Sequence, residues 1–212
     1  LSRFFNVRDK GVLRSAFMVE DRALIIGIVG RLAPIKNHRL FLDSAKRIIE
    51  RYPEKSIRFA IIGDGELKSS LKAYARAIGI SNDVIFYGWE KKIELIYADL
   101  DILVLTSNNE GTPVSIIESM AASVPVVTTG VGGVKDLLGQ IETRAQTKDD
   151  FSICERGILC PKGNATAIAR GIRFLIENDN QNLTNKAREY VFKNYSEKRL
   201  IERIENLYLN LR

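Results

Sequence analysis

Ala23-Leu-Ile-Ile-Gly-Ile-Val29, the stretch 37–52, and Ile57-Arg-Phe-Ala-Ile-Ile62 decide the architecture of this chain. The first and third are short apolar runs rich in Ile and Val, which is how a strand buried on both faces reads. The second places Leu40, Phe41, Ala45, Ile48 and Ile49 on one helical face, and Pro53 closes it. The alternation continues outward. Residues 66–78 predict a helix stopped by Gly79, 84–86 a short strand, 91–98 a helix and 102–105 a strand. Residues 113–122 predict a helix with Pro113 in its first turn, where a missing N–H costs nothing and where Thr112 can cap. Strands at 124–127 and 157–159 complete the set, the latter being the last. Strands separated by helices of this length imply right-handed crossovers and a parallel sheet covered on both faces. The expected fold class is α/β, a Rossmann-like doubly wound parallel sheet over residues 23–178.

Around that domain, residues 1–22 read as a linker-like leading segment and 140–155 as a polar loop or insertion. Helices are expected at 165–177, 183–194 and 198–211, so that residues 179–212 form a C-terminal helical part. The last helix carries Leu200, Ile201, Ile204, Leu207, Tyr208 and Leu211 on one stripe, which must pack on something. The chain opens on Leu1 rather than Met and is expected to be part of a longer polypeptide.

The composition, 45% hydrophobic and 27% charged over 212 residues, is globular and excludes wholesale disorder. No apolar run reaches the roughly 18 residues of a membrane span, and residues 1–22 lack the apolar core of a secretory signal. A net charge of +6 favours anionic partners without choosing among nucleotides, nucleic acid and acidic lipid. The basic residues form no stripe and the aromatics fall on apolar faces, so nucleic acid is not expected as a partner. Cys154 and Cys160 match no zinc or redox spacing, and a reduced cytoplasmic setting is expected. His38 is the only histidine, which excludes a multi-histidine zinc site or a two-histidine catalytic arrangement. It reads as a surface or helix-turn residue.

Ligands of open α/β sheets bind beyond the carboxyl ends of the strands. There the chain offers Gly30, Arg31 and Lys36, then Gly63-Asp-Gly65, Tyr87-Gly88-Trp89, Thr106 to Pro113, and Thr128 to Gly133. The dinucleotide fingerprint and the phosphate loop of nucleoside triphosphatases are both absent. Arg31 and Lys36 can converge on a diphosphate, one as a planar fork and the other as a mobile point charge; equally, both can be ordinary surface cations. The amides at the start of the helix after Pro113 suit a phosphate. Glu118 can accept both hydroxyls of a ribose, and Glu110 those of a second sugar. The plainer reading of the two acids is that they complement the helix dipole.

These residues resemble the C-terminal, donor-binding domain of the retaining glycosyltransferases of family 4, the "group 1" family of GT-B architecture, over about residues 24–173. The resemblance rests on Ile28-Val-Gly-Arg-Leu32 with Lys36, Ile61-Ile-Gly-Asp-Gly-Glu66, Val84-Ile-Phe-Tyr-Gly88, and Glu110-Gly-Thr-Pro-Val-Ser-Ile-Ile-Glu118. The last of these is the family's E-x7-E signature. Pro125-Val-Val-Thr-Thr-Gly-Val-Gly-Gly-Val134 and Gly157-Ile-Leu-Cys-Pro161 complete it. Any one piece is weak, but together in the same order they are specific.

The resemblance implies that Arg31, Lys36 and Glu110 serve the reaction. The two cations bind and stabilise the departing diphosphate, and Glu110 touches the transferred sugar. It implies that Glu118 holds the ribose, that backbone groups at Gly111, Thr112, Pro113 and Val114 meet the sugar and phosphate, that Tyr87, Gly88 and Trp89 lie near the base, and that Gly30 belongs to the donor-binding set. The implied donor is a UDP-sugar or GDP-sugar, with no cofactor and no required metal. The implied partners are an N-terminal acceptor-gripping domain and a lipid-linked or saccharide acceptor, in surface polysaccharide synthesis. The setting is the cytoplasm or the inner face of its membrane. The chain alone is expected to bind nucleotide weakly and to transfer little. Many relatives have Phe-Gly where Thr112-Pro113 stand, which changes the contour facing the sugar. Two other readings stand beside transfer: a nucleotide-binding module without catalysis, and a GT-B-shaped epimerase of nucleotide-sugars.

Overall fold

The computed structural model describes residues 1–4, 7, 11–144, 147, 150–197, 199, 201, 202, 205 and 208. A 3-10 turn at Ser2–Phe4 and helix α1 (Val12–Phe17) come first. They lead into β1 (Leu24–Val29), whose four central residues are all buried. The order continues α2 (His38–Arg51), β2 (Ile57–Ile62), α3 (Lys68–Ala77), β3 (Val84–Gly88), α4 (Ile93–Asp99) and β4 (Ile102–Leu105). Then come α5 (Val114–Ala121), β5 (Val126–Thr129), α6 (Val134–Leu138), β6 (Ile141–Thr143), β7 (Ser152–Cys154) and β8 (Gly157–Cys160). Helices α7 (Ala165–Glu177) and α8 (Gln181–Tyr195) follow.

The sheet runs β3-β2-β1-β4-β5-β8-β7-β6. From β3 through β8 the pairing is parallel, with Leu24 opposite Ile57, Gly27 opposite Leu103, Val104 opposite Val127 and Val127 opposite Ile158. The strand order reverses between β1 and β4, which opens the crevice where such sheets take ligands. Alternate strand residues face opposite sides, as a two-residue repeat requires. Ile26, Ile28, Phe59 and Ile61 pack with Phe41, Ile48, Leu71 and Ile172, under α2, α3 and α7. Ile25, Ile62, Leu103 and Leu105 pack with Leu13, Tyr97, Ile116, Met120 and Val191, under α1, α4, α5 and α8.

Several expectations are corrected. Strand β5 lies two residues later than predicted, because Thr128 and Thr129 continue the extended run although they are polar. Both are buried, and the Thr129 hydroxyl donates to the Ser107 carbonyl at 2.7 Å. The segment 140–155, expected as a loop, contains β6 and β7, which extend the sheet antiparallel. Thr112 does not cap α5. Pro113 is the N-cap, with φ −71° and ψ 110°, and its carbonyl receives the Ile116 and Ile117 amides. Among its described residues the leading segment packs on the domain: buried Asp99 accepts the Gly11 and Leu13 amides, both at 2.7 Å, and so docks α1 on α4. Of the apolar stripe predicted for the last helix, Leu200, Ile204, Leu207 and Leu211 lie outside the described residues, and Ile201 and Tyr208 are exposed.

Candidate functional site

At the carboxyl edge of the sheet, a cavity of about 500 Å³ is lined by Gly30 and Arg31 after β1, Gly63 after β2, Trp89 after β3 and Glu118 of α5. A larger cavity of about 800 Å³ lies at the opposite, amino edge, bounded by Phe4, Asp99, Asp101 and Arg188. Size does not decide between them. In the larger one, Arg14 ties Asp99 to Asp101 at 3.2 and 3.3 Å, so its charged groups pin the leading segment to the sheet. The smaller cavity is where the strand order reverses.

Lys36 closes a 3-10 turn, Pro34–Lys36, just after β1. Its stem lies over Gly30, where an added Cβ would sit 3.7 Å from the Lys36 Cε. The Lys36 ammonium meets Glu110 Oε1 at 2.5 Å. The Ser107 hydroxyl donates to that same oxygen at 2.5 Å. The loops that carry these groups are stitched together: Thr106 Oγ1 donates to the Lys36 and Asn37 carbonyls, both at 3.0 Å, and the Asn108 amide to the Ile35 carbonyl at 2.7 Å. Gly132, at φ +49°, allows closer contact still. A Cβ there would come within 1.8 Å of the Glu110 carbonyl, so only glycine admits the approach.

Arg31 lies on the rim, 75% exposed, and meets Glu66 at 3.3 Å. An exposed pair of this kind is worth about 0–1 kcal/mol, so a phosphate can take the guanidinium at little cost. Glu118 is held from below and from the side. Its Oε1 is 3.3 Å from Arg3 Nη2, and the Tyr97 hydroxyl, which donates to the Ser115 carbonyl at 3.1 Å, lies beside its carboxylate. Burial pushes the Glu118 carboxyl above its ordinary value, and Tyr97 and Arg3 pull it part of the way back. At the start of α5, the Val114 and Ser115 amides precede the first intrahelical bonds and face out of the helix.

The predicted residues thus gather at one edge, but not equally. Arg31, Gly30, Trp89 and Glu118 line the cavity, and Lys36 touches Glu110 beside it. Trp89 is 75% exposed and offers a ring face. Tyr87 instead packs on the second core and donates to Glu90 at 3.2 Å, while Gly88 accepts the Gly63 amide at 2.7 Å. Neither lines the cavity. Pro113 is buried, whereas Gly111, Thr112 and Val114 are exposed at the helix start. His38 departs from expectation: it is 1% exposed, and neither ring nitrogen has a partner among the described residues. Burial, then the Lys36 charge, lowers it to about 4, so it is neutral near pH 7. Both cysteines are buried free thiols pushed up by burial, Cys154 to about 11, and neither is a reactive thiolate. Among the described residues no three His, Cys, Asp or Glu side chains cluster to hold a metal, and no helix is long and apolar enough to cross a membrane.

Residues 12–194 match the family described as glycosyl transferases group 1. The chain belongs to this family. Over its whole length the chain is 25% identical to an Escherichia coli UDP-Gal:alpha-D-GlcNAc-diphosphoundecaprenol alpha-1,3-galactosyltransferase, covering 52% of that protein. Anabaena HepE, solved with UDP, superposes with a TM-score of 0.78 at 20% identity, over 94% of this chain and 52% of HepE. The C-terminal domain of a group 1 glycosyl transferase from Francisella tularensis gives 0.74 at 21%, over 92% of this chain and 97% of that domain. At these identities the two structures speak for the fold alone. The chain spans about half the length of the curated relatives it matches.

Within this group 1 chain, sequence reading missed Ser107, Tyr97 and Arg3. Ser107 carried a signal, because it stands three residues before Glu110 in the polar run that follows β4. Tyr97 reads as a core aromatic on α4. Arg3 lies 115 positions from Glu118, and no local pattern reports a contact of that span.

Proposed function

We propose that this chain is the donor-binding half of a retaining glycosyltransferase, which moves a sugar from a UDP-sugar or GDP-sugar to a saccharide or lipid-linked acceptor in surface polysaccharide synthesis. The observation that carries the reading is the Lys36–Glu110 contact beside a cavity shared by Arg31 and Glu118. A diphosphate laid across Gly30 meets Arg31 on one side and Lys36 on the other. The nucleoside ribose reaches Glu118, the base lies against Trp89, and the sugar faces Glu110. When the glycosyl–phosphate bond breaks, its electron pair leaves on the diphosphate. Arg31, Lys36 and the amides at the start of α5 offset that charge where it develops, with no metal called upon. The acceptor oxygen then bonds to the same face of the anomeric carbon, and its proton passes to the departing diphosphate. Support for a uridine donor comes from HepE, solved with UDP and with UDP-glucose, and from the UDP-Gal of the E. coli relative's name. That relative's diphosphoundecaprenol also supports a lipid-linked acceptor at the inner face of the membrane.

Calorimetric titration with UDP, GDP and ADP tests the reading. One of the three should bind, and Glu118→Ala and Arg31→Ala should each weaken it by about 10-fold or more, the effect of removing a charged hydrogen-bond partner. No binding at millimolar nucleotide, or no effect of either substitution, overturns the assignment. A partner domain that grips the acceptor is part of the proposal, so the chain alone should bind nucleotide without transferring sugar.

A further inference from the structure

We infer that Ser107 is a positioning residue that keeps the Glu110 carboxylate aimed at the transferred sugar once the donor has drawn Lys36 away. The inference rests on the assignment of Glu110 to that sugar. In the unliganded site, Glu110 Oε1 takes two donors, the Lys36 ammonium and the Ser107 hydroxyl, each at 2.5 Å. Among the described residues no donor meets Oε2, which is left to accept a sugar hydroxyl. The two donors are not equivalent. Lys36 is a point charge on a flexible stem, and an arriving diphosphate competes for it. Ser107 is fully buried, has a single short side-chain rotor, and carries no charge for a phosphate to attract.

The backbone around Ser107 and Glu110 is already fixed. Thr129 Oγ1 donates to the Ser107 carbonyl at 2.7 Å. The Gly133 amide donates to the Gly111 carbonyl at 3.1 Å, and Gly132 packs on the Glu110 carbonyl. The end of β5 therefore clamps the main chain of the Glu110 loop, and the side-chain torsions are the freedom that remains. With Lys36 on the diphosphate, the Ser107 hydroxyl is the donor that still restrains them. Restraint of this kind lowers the ordering cost of sugar binding without touching the nucleotide.

The test uses UDP and UDP-glucose with the whole chain. Ser107→Ala should leave the UDP affinity within about twofold and weaken UDP-glucose by about 10-fold. In a Glu110→Ala background, the same substitution should change the UDP-glucose affinity by less than about twofold, because its effect passes through the carboxylate. A crystal structure of Ser107→Ala in a Lys36→Met background, which removes the other donor, should show Glu110 Oε1 moved from the position it keeps in Lys36→Met alone. Equal losses for UDP and UDP-glucose, full additivity with Glu110→Ala, or an unmoved Glu110 would each overturn the role. If neither ligand binds the unaltered chain, the functional reading above falls, while the position of Glu110 in those two crystals still decides whether Ser107 holds it. Should the alanine variant not fold, Ser107→Cys fills the same space with a weak donor and carries the same expectations.

Discussion

Burial raises the Glu118 carboxyl above its ordinary value of 4.5, and Arg3 works against that rise. The stability tied to the protonated form is present below 4.5 and lost as the pH climbs through the higher folded value. A ribose diol needs the opposite form, because only the carboxylate accepts both hydroxyls. Nucleotide affinity should therefore fall on the acid side with a midpoint above 4.5. Arg3→Gln should move that midpoint further up while leaving the affinity near pH 8 within about fivefold, since an exposed ion pair is worth at most about 1 kcal/mol. Calorimetry from pH 4.5 to 8 checks this, and a midpoint that does not move would remove Arg3 from the site. Residue by residue, what the sequence told was uneven. Lys36 and Glu110 could be placed because each follows a strand that reads plainly. The burial of His38 could not, since its position at the start of a helix looks the same whether it faces water or core.

Helices and strands were legible in proportion to their length. The 14 residues of α2 repeat an apolar face several times, whereas α6 has five residues and gives periodicity nothing to repeat. The three residues of β6 are all exposed, so no apolar run marks them. Even well-read helices hide packing constraints. Gly171 sits inside α7, where propensity alone favours alanine by about 1 kcal/mol. A Cβ there would lie 2.8 Å from Ile158 Cγ2 and 3.1 Å from Val127 Cγ1, both on buried β-branched side chains of the sheet. Such side chains cannot swing aside, and overpacking costs about 1–3 kcal/mol. Packing wins: Gly171→Ala should lower the unfolding free energy by about 1 kcal/mol in a urea titration, with UDP affinity unchanged. A more stable variant would mean that the helix can shift off the sheet.

At the scale of the molecule, the parallel sheet followed from the spacing of its strands, but the docking of the leading segment did not. That docking depends on one carboxylate far along the chain. Asp99 is fully buried and accepts from the Gly11 amide, the Leu13 amide and Arg14 Nη1, the last at 3.2 Å. Its sequence context, the end of a seven-residue helix, resembles that of many surface acids. Asp99→Ala would leave the two amides without their acceptor, at a cost of about 1–3 kcal/mol each, while Arg14 keeps Asp101. The same change reaches the candidate site, because the 3-10 turn carrying Arg3 belongs to the segment that α1 anchors. Hydrogen exchange should quicken at Gly11 and Leu13, and the acid midpoint of nucleotide affinity should rise as it does in Arg3→Gln. If exchange quickens while the midpoint stays fixed, Arg3 is held at Glu118 by its own contacts with α4, where its guanidinium lies 3.9 Å from Glu94. If neither changes, Asp99 is not the anchor of the segment.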